Sequence, residues 1–229
     1  MVKPLPIVVG ILTVGLVGVS LVIMNREPMA VGVESNSYNI QEVPRHPVTK
    51  EMEVNAESFI GKKGPEFSLV DSEGIEMGSS GLIGGQPSVL VMTKDGCPCS
   101  IESQPFWTSM SLYYGPAVKF FGIIDVDAKG GKKFKTDFMV PYPILSSTDD
   151  KVFRAFGAKQ SVYVYLFDRE GVIQKVWPGY SRAMLTELNK LLSEMTGKES
   201  EPTDFKMVPE KMTSGCFFFQ PVGTDKPAW

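Results

Sequence analysis

The sequence predicts an α/β fold in which a mixed central sheet carries helices on both faces, preceded by one transmembrane helix. Three features support this: a charge-free N-terminal segment, several apolar runs of strand length, and amphipathic segments of helix length among them. With 229 residues the chain can form one domain of ordinary size with additional segments. We therefore divide it into a transmembrane anchor (1–27), a linker (28–58), a folded domain (59–197) and a C-terminal tail (198–229).

Composition excludes several classes of function. Hydrophobic residues make up 43% of the chain, charged residues 21%, and the net charge is −3, so nothing favours a nucleic-acid partner. The single histidine, His46, rules out sites built from several imidazoles, and we expect no metal and no cofactor. Three cysteines are too few for a fold held together by disulfides, so any special role must follow from their positions.

The N-terminal segment is interpreted as a membrane span. Leu5–Met24 contains no charge and is long enough to cross the hydrocarbon core as a helix. A cleaved signal peptide is the alternative, but residues 25–28 offer no small-residue cleavage site. Lys3 on one side, against Arg26 beside Glu27 on the other, favours a cytoplasmic N-terminus and a soluble domain on the periplasmic, extracytoplasmic side.

Three apolar runs predict strands of a buried sheet: Ser88–Met92, Val118–Asp125 and Val162–Phe167. They are too continuous for strands with one face in water, so helices should cover both faces of the sheet. Asp168–Gly171 separates the third run from Val172–Trp177 and predicts a tight reversal between antiparallel strands. We expect a mostly parallel sheet that ends in this hairpin.

Four segments are predicted to be helices: Ser100–Tyr114, Lys129–Phe138, Asp149–Phe156 and Ser181–Met195. The last has the clearest ends, with Ser181 as the N-cap and Gly197 as the stop.

The candidate site is the Cys97-Pro98-Cys99-Ser100 turn between a predicted strand and a predicted helix. Unpaired backbone N–H groups at the start of a helix favour an anion, and the thiolate is the nucleophile of disulfide exchange. We therefore expect Cys97 to be ionised by these amides, and exchange with another protein requires its sulfur to be accessible to solvent. The structural alternative is a pair of unreactive thiols in a helix-capping turn.

The order of motifs resembles the redoxins, the branch of the thioredoxin superfamily that holds the AhpC/TSA peroxiredoxins and the membrane-tethered thiol–disulfide proteins similar to TlpA. Residues 64–69 (GPEFSL), Gly74, the apolar central strand, the cysteine turn and residues 166–173 (LFDREGVI) carry the resemblance. It covers roughly residues 59 to 197 and implies a thioredoxin-like three-layer sandwich.

The resemblance also implies roles for the cysteines. Cys97 stands at the position of the attacking cysteine, Ser100 at that of the resolving cysteine, and the second thiol is displaced to Cys99. A Cys97–Cys99 disulfide would close a small ring and be easily reduced. Cys216, which follows Gly215 in the tail, is the other candidate for resolution, unless it is simply a small buried residue. Which cysteine resolves stays open at this point.

Several departures from the family pattern weaken the case that this protein is an efficient general disulfide reductase. Gly96 replaces tryptophan, Val91 replaces the buried acid, and Val162 replaces the cis-proline that faces the disulfide in thioredoxins. A peroxidase site is also incomplete, because Leu90 and Lys94 replace its proline and its threonine or serine, and Val162 lies near the position of its arginine.

Two charged residues flank the turn. Lys94 either supplies positive charge near the thiolate or is a solvated loop residue. Glu102 lies in the first helical turn, where it would raise the pKa of a neighbouring thiol if it were close.

These features favour a membrane-tethered thiol–disulfide oxidoreductase whose partners are protein thiols and disulfides, with lipid around the N-terminal helix. The competing hypothesis is a catalytically degenerate thioredoxin-fold subunit of a membrane complex, because the aromatic run Phe217–Phe219 and Trp229 should pack against something, either this domain or another subunit. Peroxide reduction is the third possibility.

Overall fold

The computed structural model describes residues 46–229. The predicted membrane span Leu5–Met24, with the charges that orient it, lies outside the described residues. From residue 46 onward, none of the helices is both long enough and apolar enough to cross a membrane.

The described chain alternates between short strands and helices. The strands are β1 (His46–Pro47), β2 (Ser68–Asp71), β3 (Glu76–Gly78), β4 (Ser88–Thr93), β5 (Lys119–Ile124), β6 (Ile144–Ser146), β7 (Tyr163–Phe167), β8 (Ile173–Trp177) and β9 (Thr213–Ser214). The helices are α1 (Lys50–Glu57), α2 (Ser79–Leu82), α3 (Pro98–Tyr114), α4 (Ala128–Asp137), α5 (Lys151–Ala155) and α6 (Arg182–Thr196). The three predicted apolar strands are confirmed as β4, β5 and β7, and the four predicted helices as α3 to α6.

The main sheet has seven strands in the order β3-β2-β6-β5-β4-β7-β8. The predicted hairpin is confirmed, since β7 and β8 pair antiparallel. The expectation of a mostly parallel sheet is wrong, because only the β4–β5 and β5–β6 pairs are parallel. The other four neighbouring pairs are antiparallel. The difference arises because β2, β3 and β6 have only three or four residues each and no long apolar run that would reveal them.

The sheet is the middle layer of three, as predicted. Along β4 the side chains of Val89 and Val91 enter one apolar core, whereas Leu90 and Met92 enter the other. Helices α3, α4 and α6 contribute to the first core, while α1 and α5 contribute to the second. This arrangement explains why β4 and β7 are buried along their whole length. The α/β sandwich with helices on both faces is therefore confirmed for the described residues.

The best-marked predicted helix ends where its sequence indicates. The Ser181 side chain accepts a hydrogen bond from Met184 N at 3.2 Å and caps the start of α6. Gly197 ends the helix with φ of 70°, a left-handed conformation that costs glycine little.

The second half of the segment expected to be a linker contains β1 and α1. His46 in β1 pairs with Ser214 in β9, and Thr49 caps α1 by accepting from Met52 N at 3.3 Å. Asn55 Nδ2 in α1 donates to Gly157 O at 2.9 Å and fixes the helix to the domain. The sequence does not predict α1, because this helix has only one buried residue, Ala56, and no regular spacing of apolar residues.

The C-terminal tail packs on the domain of the same chain. Phe205, Val208, Cys216 and Phe218 in the tail are all buried. Phe218 lies against Phe153 of α5, with 4.2 Å between ring centroids. The aromatic residues that predicted a packing partner therefore find it within the described chain.

Candidate thiol site

Cys97 lies in the turn between β4 and α3, where the sequence predicted it, and is the N-cap residue of α3. Gly96 adopts φ of 68°, a conformation that an L-amino acid with a side chain rarely takes, and so turns the chain into the helix. The Ser100 hydroxyl accepts a hydrogen bond from Lys94 N at 3.0 Å and closes the turn from within. Pro98 is the first helical residue, a position that does not require its missing N–H.

The three cysteines converge on one point. Cys97 Sγ accepts hydrogen bonds from the backbone N–H of Cys216 at 3.1 Å and from the Ser161 hydroxyl at 3.3 Å. The thiols of Cys216 and Cys99 are also within hydrogen-bonding reach of the same sulfur. All three are free cysteines in this structure. The structure thus brings both candidate resolving residues to the predicted attacking residue.

The donors that stabilise the Cys97 sulfur differ from those expected. The side chain of this N-cap residue makes no hydrogen bond to the amides of α3. The backbone amide that reaches it belongs to Cys216 in the tail. The prediction that the first amides of the helix hold the anion is therefore wrong, because the backbone donor to this sulfur comes from the C-terminal tail.

The arrangement lowers the pKa of the Cys97 thiol well below its ordinary value. The hydrogen bond from the Cys216 thiol is the main cause, followed by that from Cys99, and together with the Cys216 amide and Ser161 they outweigh burial, which acts in the opposite direction. The pKa values of Cys99 and Cys216 are raised, mainly because their thiols donate to Cys97 and because both are buried. This geometry favours a Cys97 thiolate that accepts hydrogen bonds from two neutral thiols, those of Cys99 and Cys216.

Cys97 is closed off from solvent. Its exposed fraction is 0%, and those of Cys99 and Cys216 are 2% each. The expectation that the sulfur would be accessible is therefore wrong for this conformation. The cause is the tail: Gly215 packs so closely that a Cβ on it would lie 2.8 Å from Cys97 Sγ. Exchange with another molecule requires this segment to move.

Lys94 is buried and paired. Its ammonium group lies 2.8 Å from Asp125 Oδ2, and the two side chains are 8% and 2% exposed. Thr93 pairs with Ile124 across the parallel β4–β5 register, which places Lys94 beside Asp125. The solvated-loop interpretation of Lys94 is therefore wrong. Its positive charge favours the ionised form of Cys216, although the pKa of that thiol is raised overall, mainly by its hydrogen bond to Cys97.

Glu102 lies near the site in the second turn of α3 and not in the first as predicted, because the helix begins at Pro98. Its Oε2 accepts a hydrogen bond from the Tyr180 hydroxyl at 3.2 Å. Its charge raises the pKa of Cys99, as predicted for a nearby carboxylate, although the hydrogen bond to Cys97 and burial contribute more. Burial is also the main cause of the raised pKa of Tyr180, which both Cys99 and Glu102 reinforce.

The position expected to carry the cis-proline contributes to the site through its neighbour. Val162 is buried, and the peptide bond that joins it to Ser161 is cis. The hydroxyl that contacts Cys97 is that of Ser161.

Sequence reasoning missed Ser161, Asp125 and Tyr180. Asp125 carried a usable signal, since a carboxylate directly after an apolar strand lies at the edge of the sheet where the cysteine turn begins. Ser161 and Tyr180 carried none, because a lone hydroxyl beside a strand or a helix has many structural uses. Within the described range, no set of three or more histidine, cysteine or acidic residues is arranged to hold a metal ion.

Comparison with known proteins shows which family the sequence matches. The AhpC/TSA family model matches residues 60–176, slightly more than half of the chain and inclusive of Cys97 and Cys99. The chain is 25% identical over 142 residues to the chloroplastic peroxiredoxin Q of Suaeda salsa, an alignment that covers 58% of this chain and 66% of that relative, just under two thirds of its length. It is 28% identical over 132 residues to a Coxiella burnetii protein provisionally named peroxiredoxin bcp, covering 52% of this chain and 87% of the relative.

A solved structure shows the same fold. A Chlorobium tepidum protein provisionally named thiol:disulfide interchange protein DsbE superposes with a TM-score of 0.53 at 23% identity, over 60% of this chain and 98% of that one. The curated relatives are named as peroxiredoxins and this solved structure as a thiol:disulfide interchange protein. With its Cys97 turn between the central strand and the first long helix, and with its sequence matched over the core of the domain, the chain belongs to the AhpC/TSA family.

Proposed function

We propose that this protein is a membrane-tethered thiol–disulfide oxidoreductase that acts on the cysteines of other proteins. Cys97 attacks, and Cys99 or Cys216 resolves. The observation that carries this proposal is the convergence of two further thiols on a Cys97 sulfur whose pKa is lowered.

The geometry supplies what two-step exchange needs. The low pKa keeps Cys97 as the thiolate that attacks a disulfide sulfur, and a second thiol within reach can then attack the mixed disulfide. Pro98, Ser100 and Ser161 shape the turn or donate to it, while Lys94 and Glu102 set the charge around the thiols. Cys-Pro-Cys chemistry at 97–99 and closure with Cys216 are both compatible with these contacts.

The membrane tether rests on the sequence. Leu5–Met24 is apolar and long enough to span a bilayer, and the flanking charges favour an N-terminus in the cytoplasm. The thiol domain would then face the oxidising, extracytoplasmic side, where protein disulfides persist. Fractionation of the full chain with and without residues 1–27, followed by protease protection of the domain, tests both points.

The experiment that tests the function is disulfide reduction by the full chain, with insulin as the substrate and dithiothreitol as the electron donor. We expect turnover by the wild type and none above background for Cys97→Ser, and, when dithiothreitol is left out, accumulation of a mixed disulfide on Cys97 in the Cys99→Ser/Cys216→Ser double variant. Wild-type activity equal to that of Cys97→Ser, with no mixed disulfide in the double variant, would contradict the proposal.

A degenerate interaction subunit is the alternative function, and the complete burial of Cys97 favours it. Such a subunit should stay bound to its complex when all three cysteines are replaced by serine, and it should give no client mixed disulfides. The two functions are separated by isolating the wild-type and the triple-serine protein from native membranes and comparing the proteins bound to each. An oxidoreductase loses its bound clients when its cysteines are replaced, whereas a scaffold keeps its partners.

Peroxide reduction is the third candidate, and the names of the curated relatives favour it. It predicts that reduced protein consumes hydrogen peroxide in a Cys97-dependent reaction. Consumption no faster than that by free cysteine at the same pH would exclude it.

A further inference from the structure

We infer that Cys216 is the resolving cysteine and that Asp125 is the positioning residue that holds its segment on Cys97. The segment meant here is residues 213–219, called the tail strand below. The inference rests on the proposed function, which left Cys99 and Cys216 as alternatives.

Cys99 is constrained by the helix it belongs to. Cys97 is the N-cap of α3 and Cys99 its second residue, separated by Pro98. The two thiols lie within hydrogen-bonding reach, but a disulfide between them would close a ring with a single intervening residue, and proline fixes the backbone of that residue. We expect a bond between these two sulfurs to strain the first turn of α3, where Ile101 N donates to Cys97 O at 3.1 Å.

Cys216 approaches Cys97 on a separate, extended segment. Its carbonyl accepts from Ser161 N at 3.0 Å, Gly215 N donates to Ser161 O, and Phe218 N donates to Lys159 O at 3.1 Å. This pairing sets the Cys216 amide 3.1 Å from Cys97 Sγ. Formation of a bond here breaks no helical turn, because Cys216 lies outside the helices.

Glycine at position 215 is what permits this approach. A Cβ there would lie 2.8 Å from Cys97 Sγ and 2.9 Å from Ser161 O, closer than such atoms come in proteins. The tail strand packs directly on the reacting sulfur, and the residue that precedes Cys216 must therefore lack a side chain.

Asp125 joins the tail strand to the loop that carries Cys97. Its Oδ2 accepts from Phe219 N at 3.0 Å and from Lys94 Nζ at 2.8 Å, and its Oδ1 accepts from Asp95 N at 3.2 Å. Phe219 has φ of 57°, unfavourable for a residue with a side chain, so the turn at this point depends on such contacts. One buried carboxylate thus fixes both ends of the Cys97–Cys216 contact.

The chemistry balances with these groups. The Cys97 thiolate attacks a client disulfide, forming a Cys97–client bond and releasing one client thiolate, which takes the proton of Cys216. The Cys216 thiolate then attacks Cys97 Sγ, forming the Cys97–Cys216 disulfide and releasing the second client thiolate. The client gains two electrons and the enzyme loses two, which a dithiol reductant must restore.

The same contact regulates access. The client and Cys216 must react with the Cys97 sulfur one after the other, because this sulfur is fully covered while the tail strand is in place. The tail strand therefore leaves to admit the client and returns to release it, and Asp125 is the anchor for that return.

The test is disulfide mapping in the full chain, with glutathione disulfide as the oxidant. We expect a Cys97–Cys216 bond in both the wild type and Cys99→Ser, and accumulation of glutathionylated Cys97 in Cys216→Ser. A Cys97–Cys99 bond that forms in the wild type, and as fast in Cys216→Ser, would overturn the assignment while leaving the proposed function intact. Absence of any glutathione adduct on Cys97 in the Cys99→Ser/Cys216→Ser variant would contradict both the assignment of Cys216 and the proposed function.

The role of Asp125 is tested in the Cys99→Ser background. Asp125→Asn should slow resolution of the Cys97–glutathione adduct about tenfold and move the pH midpoint of Cys97 alkylation upward, because the Cys216 thiol and amide are no longer held on the sulfur. Asp137→Asn is the matched control, since Asp137 is a surface aspartate paired only with Lys133 in the described structure. If Asp125→Asn leaves Lys94 unpaired and unfolds the chain, Lys94→Gln/Asp125→Asn removes both charges and should show the same slowing. Resolution and alkylation that match the control in the folded variant would overturn the positioning role.

Discussion

The backbone N–H of Cys216 donates a hydrogen bond of 3.1 Å to Cys97 Sγ, across a separation of 119 residues in sequence. This contact brings a thiol from the C-terminal tail to the sulfur that we propose as the nucleophile. The Cys216 thiol that it brings to Cys97 is the main cause of the lowered Cys97 pKa, and the segment that carries this thiol covers the Cys97 sulfur, which has no exposed surface.

Cys97 should be ionised at neutral pH. Because its folded-state pKa is lowered by the hydrogen bonds from Cys216 and Cys99, the thiolate should persist far below the ordinary thiol pKa of about 8.5. The ultraviolet absorbance of the thiolate, taken as the difference between reduced wild type and Cys97→Ser, should stay constant as the pH is lowered from about 8 to about 5. Loss of that absorbance below about pH 8 would show an ordinary thiol.

Ser161→Ala should raise the Cys97 pKa by a modest amount. The hydroxyl is one of several donors and contributes less to the lowered pKa than the Cys216 thiol, the Cys99 thiol and the Cys216 amide, so we expect the Cys97 pKa to rise but to stay below that of an ordinary thiol. The pH profile of Cys97 alkylation measures it. Ser109→Ala, which removes a hydroxyl near Glu201 and away from the thiols, is the control and should leave the profile unchanged.

Gly215→Ala should open the site. A methyl group at this position would meet Cys97 Sγ at 2.8 Å, so the tail strand must move outward. We expect Cys97 to be alkylated by iodoacetamide at least about tenfold faster, because opening of the segment becomes cheaper by more than 1 kcal/mol. Gly81→Ala is a steric control, since a Cβ there meets nothing within 4 Å. Equal alkylation rates in the two variants would contradict close packing of the tail strand.

Phe218→Ala should destabilise the whole domain. Its ring is fully buried and lies 4.2 Å from that of Phe153, so its removal leaves a cavity worth about 3–5 kcal/mol. Phe217→Ala, at a neighbouring residue that is only half-buried, should cost clearly less. Urea unfolding of both variants tests this, and similar losses would mean that the tail is not part of the core.

The sequence was most informative where one element alone determines the structure. The apolar runs of β4, β5 and β7 and the Ser181 cap of α6 identify themselves within a few residues, and the turn before α3 follows from its position between a strand and a helix. The short strands β2, β3 and β6 could not be found this way, because three or four residues do not establish a period.

The candidate site was predictable only in part, for a related reason. Cys97 and Cys99 are local and were placed correctly, whereas the meeting of Cys97 with Cys216 depends on where a tail without periodicity folds back. The pairing of Lys94 with Asp125 likewise depends on the β4–β5 register. Burial of Cys97 follows from both and so could not be read from its neighbours in the chain.

The most direct test of the account is an equilibrium titration of the full chain against mixtures of reduced and oxidised glutathione, followed by the loss of free thiols. A two-electron transition with one defined potential, present in the wild type and absent in Cys97→Ser, is the predicted result. Three thiols that stay reduced across the whole series, or that oxidise independently of Cys97, would contradict the account.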